Sequence, residues 1–320
     1  MVYHQIKSSV VYHFSLRHYA TQVDKLQPPW NILFFGTDSF SLASLKVLNY
    51  KYKQKSIIVS RFANDENLKM HSWPISTVKG FHIGLVVSFG YLIPRTVIGC
   101  FPLGMLNVHA SLLPRWRGAA PIIHAIANGD SKTGITIMTI KPKHFDIGNI
   151  VRQETVIMED DILLPDLHER LANLGSKVLM EELYKLPDNV TLAKPQPNIG
   201  ITLAPKVTSS FGIIDWSSIS ARRIYNLSRA LFGLYPLITK WNDLNIKLYD
   251  IKLCSPEKTT CIQPGFVHYD RDSRLLKIQC LNSNWISVGS VGVSNKRKMS
   301  ASDFNNGYLS KVDISKRIFM

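Results

Sequence analysis

The chain has 320 residues, is 45% hydrophobic and carries a formal charge of +15 with a pI near 9.6. This excludes a disordered acidic chain and supplies enough apolar residues for two ordinary domain cores. A basic excess suits a polyanionic partner, because each neutralised phosphate releases counterions. Residues 1–205 hold 21 basic against 15 acidic side chains (+6) and residues 206–320 hold 17 against 8 (+9), so the shorter C-terminal part is the more basic. A solvated basic surface explains the same figures. No apolar run approaches the ~20 residues of a membrane-spanning helix, so no membrane association is expected. Cys100, Cys254, Cys261 and Cys280 form no CxxC pair and point to neither a zinc site nor a disulfide framework.

The first acidic residue is Asp24, and Lys7 and Arg17 precede it among Val10, Val11, Phe14 and Leu16. An acid-poor, basic, partly amphipathic start reads as a mitochondrial presequence over residues 1–28, with cleavage between Tyr19 and Thr21. A disordered start is the plain alternative. Next, NILFFGTDSF predicts a strand, a loop at Gly36 with capping candidates Thr37 and Asp38, and a helix reaching Leu48. One glycine is not the GxGxxG of a dinucleotide site. IGLVVSFG (83–90), GMLNVH (104–109) and TGITIMTI (133–140) are further buried strand candidates between helix-like stretches. The alternation predicts an α/β domain with a Rossmann-like, mostly parallel sheet, helices on both faces, and ligands beyond the carboxyl ends of the strands.

The stretch LNVHASLLPRWRGAAP (106–121) is chemically the richest. In a strand, positions two apart share a face, so Asn107 and His109 point the same way from an otherwise apolar run. An amide donor beside an imidazole suits a carbonyl under attack. Pro114 cannot extend a central strand, and Gly118 frees the backbone before the helix-like AAPIIHAIANG. Each residue has a bland reading as well: a satisfied histidine at a strand end, an asparagine capping backbone, a turn-forming aspartate at Asp146. Trp116, between Arg115 and Arg117, can stack on a nucleotide or cover a pocket, with aromatic packing as the default.

Residues 161–186 carry apolar positions at helical spacing and close this domain. The proline-rich, aperiodic stretch 188–205 reads as a linker. IDWSSISARRIYNLSRAL (214–231) predicts a helix capped by Ser217 or Ser218. LITKW, NIKLYDIKL, GFVHY, LLKIQC and WISVGSV follow as short alternating strands, the pattern of a small β-barrel.

Asn107, His109, the SLLP of Ser111, Leu112, Leu113 and Pro114, Arg117-Gly118, and Asp146 in HFDIGNI together resemble the folate-dependent formyltransferases. SLLPRWRGAAPI resembles the branch that formylates methionyl-tRNA, and the N-terminal extension its mitochondrial form. The resemblance implies a catalytic domain over 29–187, a linker over 188–205 and an OB-like tRNA-binding barrel over 206–320, with SASDFNNGYL as its closing motif. It implies that Asn107 and His109 stabilise the oxyanion, and that His109 assists proton transfer to the leaving folate nitrogen. Asp146 would hold His109 or a water and help take a proton from the amine. Ser111, Leu112, Leu113 and Pro114, with Phe89, Gly90 and Tyr91 of VVSFGYLIP, would form the pocket for 10-formyltetrahydrofolate, with no metal required. The implied partner is charged initiator methionyl-tRNA, met by a monomer in the mitochondrial matrix. A central strand entering a helix is the bland reading of VVSFGYLIP.

Two departures stand out. The resemblance implies a long basic loop after the second strand, yet SIIVSRF (56–62) runs almost directly into ANDENLKMHSWP, leaving only Arg61 and Lys69 nearby. RALFGLYP lacks the Asn- and Trp-containing turn of bacterial relatives. Formylation of glycinamide ribonucleotide or an amino-sugar is the neighbouring enzymatic reading. A loop-deleted isoform that binds tRNA with little or no catalysis is the reading from another class.

Overall fold

In the computed structural model, residues 10–15, 28–49, 59–75, 78–256, 263–281, 283–294 and 296–320 are described. The N-terminal domain comprises β1 (Val10–Ser15), β2 (Asn31–Gly36), α1 (Ser39–Leu48), α2 (Val59–Asp65), β3 (Met70–Ser72), β4 (Ile83–Val87), α3 (Arg95–Ile98), β5 (Met105–His109), α4 (Pro121–Asn128), β6 (Lys132–Thr139), β7 (Ile150–Ile157) and α5 (Leu164–Leu183). Its sheet runs β3-β1-β2-β4-β5-β6-β7. The central β2, β4 and β5 are parallel. β6 joins antiparallel to β5, with Thr136 opposite His109, because the loop after His109 and α4 return the chain to the end it left.

β1 lies between β2 and β3 and pairs antiparallel with both. It falls within the segment read as a presequence; residues 1–9 and 16–27 of that segment lie outside the described residues. The strand expected at 56–62 is absent from 59 onward, since Val59–Asp65 is helical, and 51–58 lie outside the described residues. The sheet position beside β2 belongs to β1 instead.

Strand alternation divides the core. Ile32 and Phe34 of β2, Leu85 and Val87 of β4 and Leu106 and Val108 of β5 pack under α1, α4 and α5. Leu33, Phe35, Val86 and Met105 face the other side, against Phe89, Val97 and Phe101. Asn107 and His109 share the parity of Met105, so they face away from α5. α5 approaches β5 closely at Gly175, where a Cβ would stand 2.9 Å from Val108 Cγ1. α1 is capped by Asp38, which accepts from Ser41 N at 3.0 Å in a reciprocal capping box.

The stretch 188–205 expected to be a linker holds the short α6 (Asp188–Thr191) and is pinned along the N-terminal domain: Ile150 N donates to Lys194 O (2.7 Å), Arg117 N to Thr202 O (2.9 Å) and Ala120 N to Ala204 O (3.1 Å). Beyond it lie α7 (Ala221–Ala230), β8 (Leu237–Trp241), β9 (Leu244–Cys254), β10 (Val267–Asp270), β11 (Leu275–Gln279), β12 (Trp285–Val293), β13 (Met299–Ser300) and α8 (Ala301–Gly307). The α7 cap is Ser220, whose side chain accepts from Arg223 N, and not Ser217 or Ser218, whose hydroxyls are turned onto the Asp215 carboxylate.

The antiparallel sheet β10-β11-β12-β9-β8, with β13 on β12, curls into the expected OB-like barrel. Its two outer strands are bridged by the C-terminal segment: Lys240 and Met320 exchange both backbone hydrogen bonds at 2.8 Å, Val267 N donates to Arg317 O, and Phe319 N to Gly265 O. SASDFNNGYL forms α8, which buries Phe304 in the barrel core while residues 317–320 make the closing hydrogen bonds.

Candidate active site

Asn107 and His109 lie at the end of β5 and converge on one carboxylate. Asn107 Nδ2 donates to Asp146 Oδ1 (3.3 Å), and His109 Nδ1 lies 3.5 Å from the same oxygen. Gly118 N donates to Asp146 Oδ2 at 2.9 Å. His109 Nε2 is 2.9 Å from Trp116 O. A carbonyl only accepts, so the ring carries a proton on Nε2 and Nδ1 is the nitrogen that faces the carboxylate. The His109 and Asp146 side chains are 6% and 9% exposed, which keeps water from screening the pair.

Asp146 does not arrive from the carboxyl end of a parallel strand. The antiparallel β6 carries the chain away from His109, and the following loop folds back over the face that bears Asn107. That return is fastened where Thr139 N donates to Asn149 O (2.9 Å) and Asn149 N to Thr139 Oγ1 (3.0 Å). Asp146 itself sits in the left-handed region at φ +56, a conformation that side-chain-bearing residues hold only when their surroundings over-determine it.

The SLLP loop follows β5 and is knotted through Thr136. Its Oγ1 donates to Ser111 O (2.6 Å) and accepts from Leu113 N (3.1 Å) and Gln153 Nε2 (2.9 Å), which exhausts a hydroxyl. Ser111 Oγ is engaged with Arg115 O at 2.6 Å. The side chains of Ser111, Leu113, Pro114 and Phe89 are buried, so this edge presents backbone groups and Leu112. The loop after β4 lies at the same sheet edge: Gly90, at φ +72, has open space where a Cβ would stand, and Tyr91 is 47% exposed. Gly90 and Tyr91 backbone groups make no hydrogen bond within the protein among the described residues. An apolar ledge with free backbone donors and acceptors fits a flat heterocycle with one polar edge, so the residues present fit a folate.

Trp116 takes the packing role. Its Nε1 donates to Asp130 Oδ2 (2.8 Å) beneath the Arg115 guanidinium, which binds the same carboxylate bidentately at 2.7 and 2.6 Å. Burial alone would raise the Asp130 carboxyl, but the hydrogen bonds from Arg115, Asn128 and Trp116 outweigh it and hold it below the usual aspartate range. Thr136, Gln153, Asp130 and Gln196 support this site without any signal in the sequence pattern, since a lone polar residue in a strand or linker reads as surface. Among the described residues, no group of three or more His, Cys, Asp or Glu is placed to hold a metal ion, and no helix is long and apolar enough to cross a membrane.

Residues 74–183 match the formyl transferase family model and residues 206–309 that of the formyl transferase C-terminal domain. The chain is 37% identical to the mitochondrial methionyl-tRNA formyltransferase of Mus musculus, covering 88% of this chain and 79% of the relative. The Homo sapiens protein of the same description is also 37% identical, over 88% and 79%. Among solved structures, the N-formyltransferase from Helicobacter canadensis, in complex with folinic acid and dTDP-3-aminofucose, aligns with a TM-score of 0.60 at 16% identity, over 80% of this chain and 97% of that one. That likeness extends to the fold. On the identity and coverage of its relatives, the chain belongs to the methionyl-tRNA formyltransferase family.

Proposed function

We propose that this protein transfers the formyl group of 10-formyltetrahydrofolate to the amino group of initiator methionyl-tRNA, for initiation of translation in the mitochondrial matrix. The observation that carries the reading is the convergence of Asn107 and His109 on one Asp146 carboxylate oxygen, 3.3 and 3.5 Å away, beside an apolar ledge.

The folate donor supplies the formyl group. Asn107 Nδ2 offers an N–H toward the space where negative charge gathers on the transferred carbonyl, and a fixed donor in a water-poor site is worth about 2.7–4 kcal/mol of barrier. His109 and Asp146 form the proton-handling pair: Nδ1 faces Oδ1 at 3.5 Å, an ion-pair distance, and Trp116 O keeps the ring oriented. Asp146 takes the proton released as the amine attacks, and His109 delivers one to the departing folate nitrogen. No nucleophilic side chain is required. The basic barrel, with its +9 excess over residues 206–320, supplies the electrostatic grip on the tRNA.

The test is formyl transfer from 10-formyltetrahydrofolate to methionyl-tRNA by the purified protein, with His109→Ala and Asp146→Ala alongside. Product that falls by at least about 100-fold in folded variants supports the reading. tRNA binding without product would favour the loop-deleted, non-catalytic isoform, and a small phosphorylated amine that outcompetes charged tRNA would redirect the assignment to another acceptor. N-terminal sequencing of the protein recovered from mitochondria tests the presequence. A start near Tyr19 would mean that the processed enzyme has shed β1.

A further inference from the structure

Among the side chains that the linker lends to the N-terminal domain, that of Gln196 is the one that bears directly on the Asp146 loop. Gln196 lies between the Asp146 loop and the Arg117–Gly118 turn and uses both ends of its carboxamide. Nε2 donates to Asp146 O (2.8 Å) and Gly148 O (2.9 Å), while Oε1 accepts from Arg117 Nε (3.0 Å) and Nη2 (2.7 Å). The orientation of the amide is fixed by its partners, since two carbonyls can only accept and a guanidinium can only donate.

The two loops that Gln196 joins are the two that hold the carboxylate. The Asp146 backbone is in the left-handed region at φ +56, and its own carbonyl is one of the groups Gln196 fastens. From the other side Gly118 N binds Oδ2 at 2.9 Å, one residue from Arg117. Gln196 therefore closes a ring: Asp146 carbonyl, Gln196, Arg117, Gly118, Asp146 carboxylate. The linker that carries Gln196 is itself hydrogen-bonded to both sides: Ile150 and Lys194 exchange backbone bonds, and Arg117 N donates to Thr202 O while its carbonyl accepts from Ala204 N. A side chain in such a ring sets where the carboxylate stands relative to His109 Nδ1 without touching the reacting atoms.

We infer that Gln196 is a positioning residue for formyl transfer, holding Asp146 in register with His109 and Asn107 from the interdomain linker. This rests on the assignment of Asp146 to proton handling. It also gives the linker a second role, because a force on residues 194–204 from a substrate gripped by the barrel reaches the Asp146 loop through the Gln196 amide as well as through the backbone bonds to Arg117 and Ala120.

The test compares Gln196→Leu and Gln196→Glu with the parent protein. Leucine removes all four bonds. Glutamate keeps a partner for Arg117 but turns a carboxylate toward the Asp146 and Gly148 carbonyls, so it separates the Arg117 anchor from the Asp146 anchor. Both variants are expected to lose about 10- to 100-fold in kcat, the effect of a misplaced reacting group. KM for the folate donor and Tm should stay near the parent values, a split that general loosening of the fold would not give. Amide hydrogen exchange at Gly118 provides a readout apart from activity and should quicken at least tenfold in both variants as Oδ2 drifts from its donor. A Gln196→Glu protein with parental kcat and parental Gly118 protection would overturn the inference. If the parent transfers no formyl group, the functional reading fails by itself, and Gly118 exchange still decides whether Gln196 holds the carboxylate: quickened exchange upholds that hold and unchanged exchange refutes it.

Discussion

The backbone N–H of Gly118 donates to Asp146 Oδ2 at 2.9 Å, and on its other side Gly118 lies so close to Ala204 that a Cβ would stand 2.6 Å from the Ala204 carbonyl oxygen. Its φ of +126 is open to glycine and strained for any other residue. Gly118→Ala must move either the Trp116–Gly118 turn or the linker. We expect a stability loss of about 1–3 kcal/mol from backbone strain and a kcat loss of ten- to about 100-fold from displacement of the Asp146 donor. Steady-state kinetics beside thermal unfolding check both. Parental kcat in a variant with a lowered Tm would mean that the turn tolerates displacement without disturbing Asp146.

Thr136 makes the next prediction, at the SLLP loop. Valine fills the same volume but lacks the hydroxyl, leaving the Ser111 carbonyl and the Leu113 N–H without their present partner in a buried place. An unsatisfied buried group costs about 1–3 kcal/mol. Thr136→Val should lower unfolding stability in urea by about that amount or somewhat more, and raise KM for the folate donor more than it lowers kcat. Thr136→Ser, which keeps the oxygen, should restore most of the affinity. Unchanged KM in the valine variant would separate the SLLP loop from donor binding.

What the sequence made legible follows from periodicity and spacing. β2, β4 and β5 announced themselves as apolar runs, and Asn107 and His109 could be placed on one face because a strand repeats every two residues. β6 also showed as a strand, but its direction did not, since pattern carries no sense of polarity and the return through α4 is a tertiary fact. The stretch 188–205 read as a linker because prolines break periodicity. The same feature hid that Gln196, Thr202 and Ala204 are bonded to the Trp116–Gly118 turn, for an extended segment docked by backbone hydrogen bonds needs no apolar repeat. From 59 onward the expected strand at 56–62 is the helix Val59–Asp65 instead, and β1 takes the sheet position beside β2, a tertiary pairing that β-propensity alone does not show.

Asp130 gives a pH dependence with a definite sign. Its folded pKa is held below the ordinary aspartate value of about 3.9. The folded state therefore binds this proton less readily than the unfolded chain does, and stability rises with pH across that window. The contribution is complete above the unfolded value and is lost as pH falls through the lower folded one. Compared with Asp130→Asn, the parent protein should be more stable at pH 6 and should lose that advantage below about pH 4. Parallel stability curves for the two proteins from pH 6 down to about pH 3 would contradict the assignment.

The last prediction concerns the barrel and separates grip from chemistry. Phe319 is 1% exposed, packs near Trp216 and Phe304 at ring-centroid distances of 6.3 Å, and lies in the segment whose hydrogen bonds join β8 to β10. Met320 O also accepts from Thr239 Oγ1 (3.0 Å), which in turn accepts from Trp216 Nε1 (2.8 Å), so the tail ends in a buried polar chain. Phe319→Ala removes a large core side chain and should cost about 3–5 kcal/mol. Deleting residues 317–320 should go further, since it leaves both outer strands of the barrel with unpaired backbone. Amide exchange at Lys240 and Val267 should quicken while Gly118 keeps its protection, because no tail residue touches the Asp146 ring. If the barrel is the surface that grips tRNA, KM for methionyl-tRNA rises in both variants and the rate at saturating substrate changes little. An equal fall in kcat would instead mean that barrel closure is felt at Asp146, through the linker that runs between them.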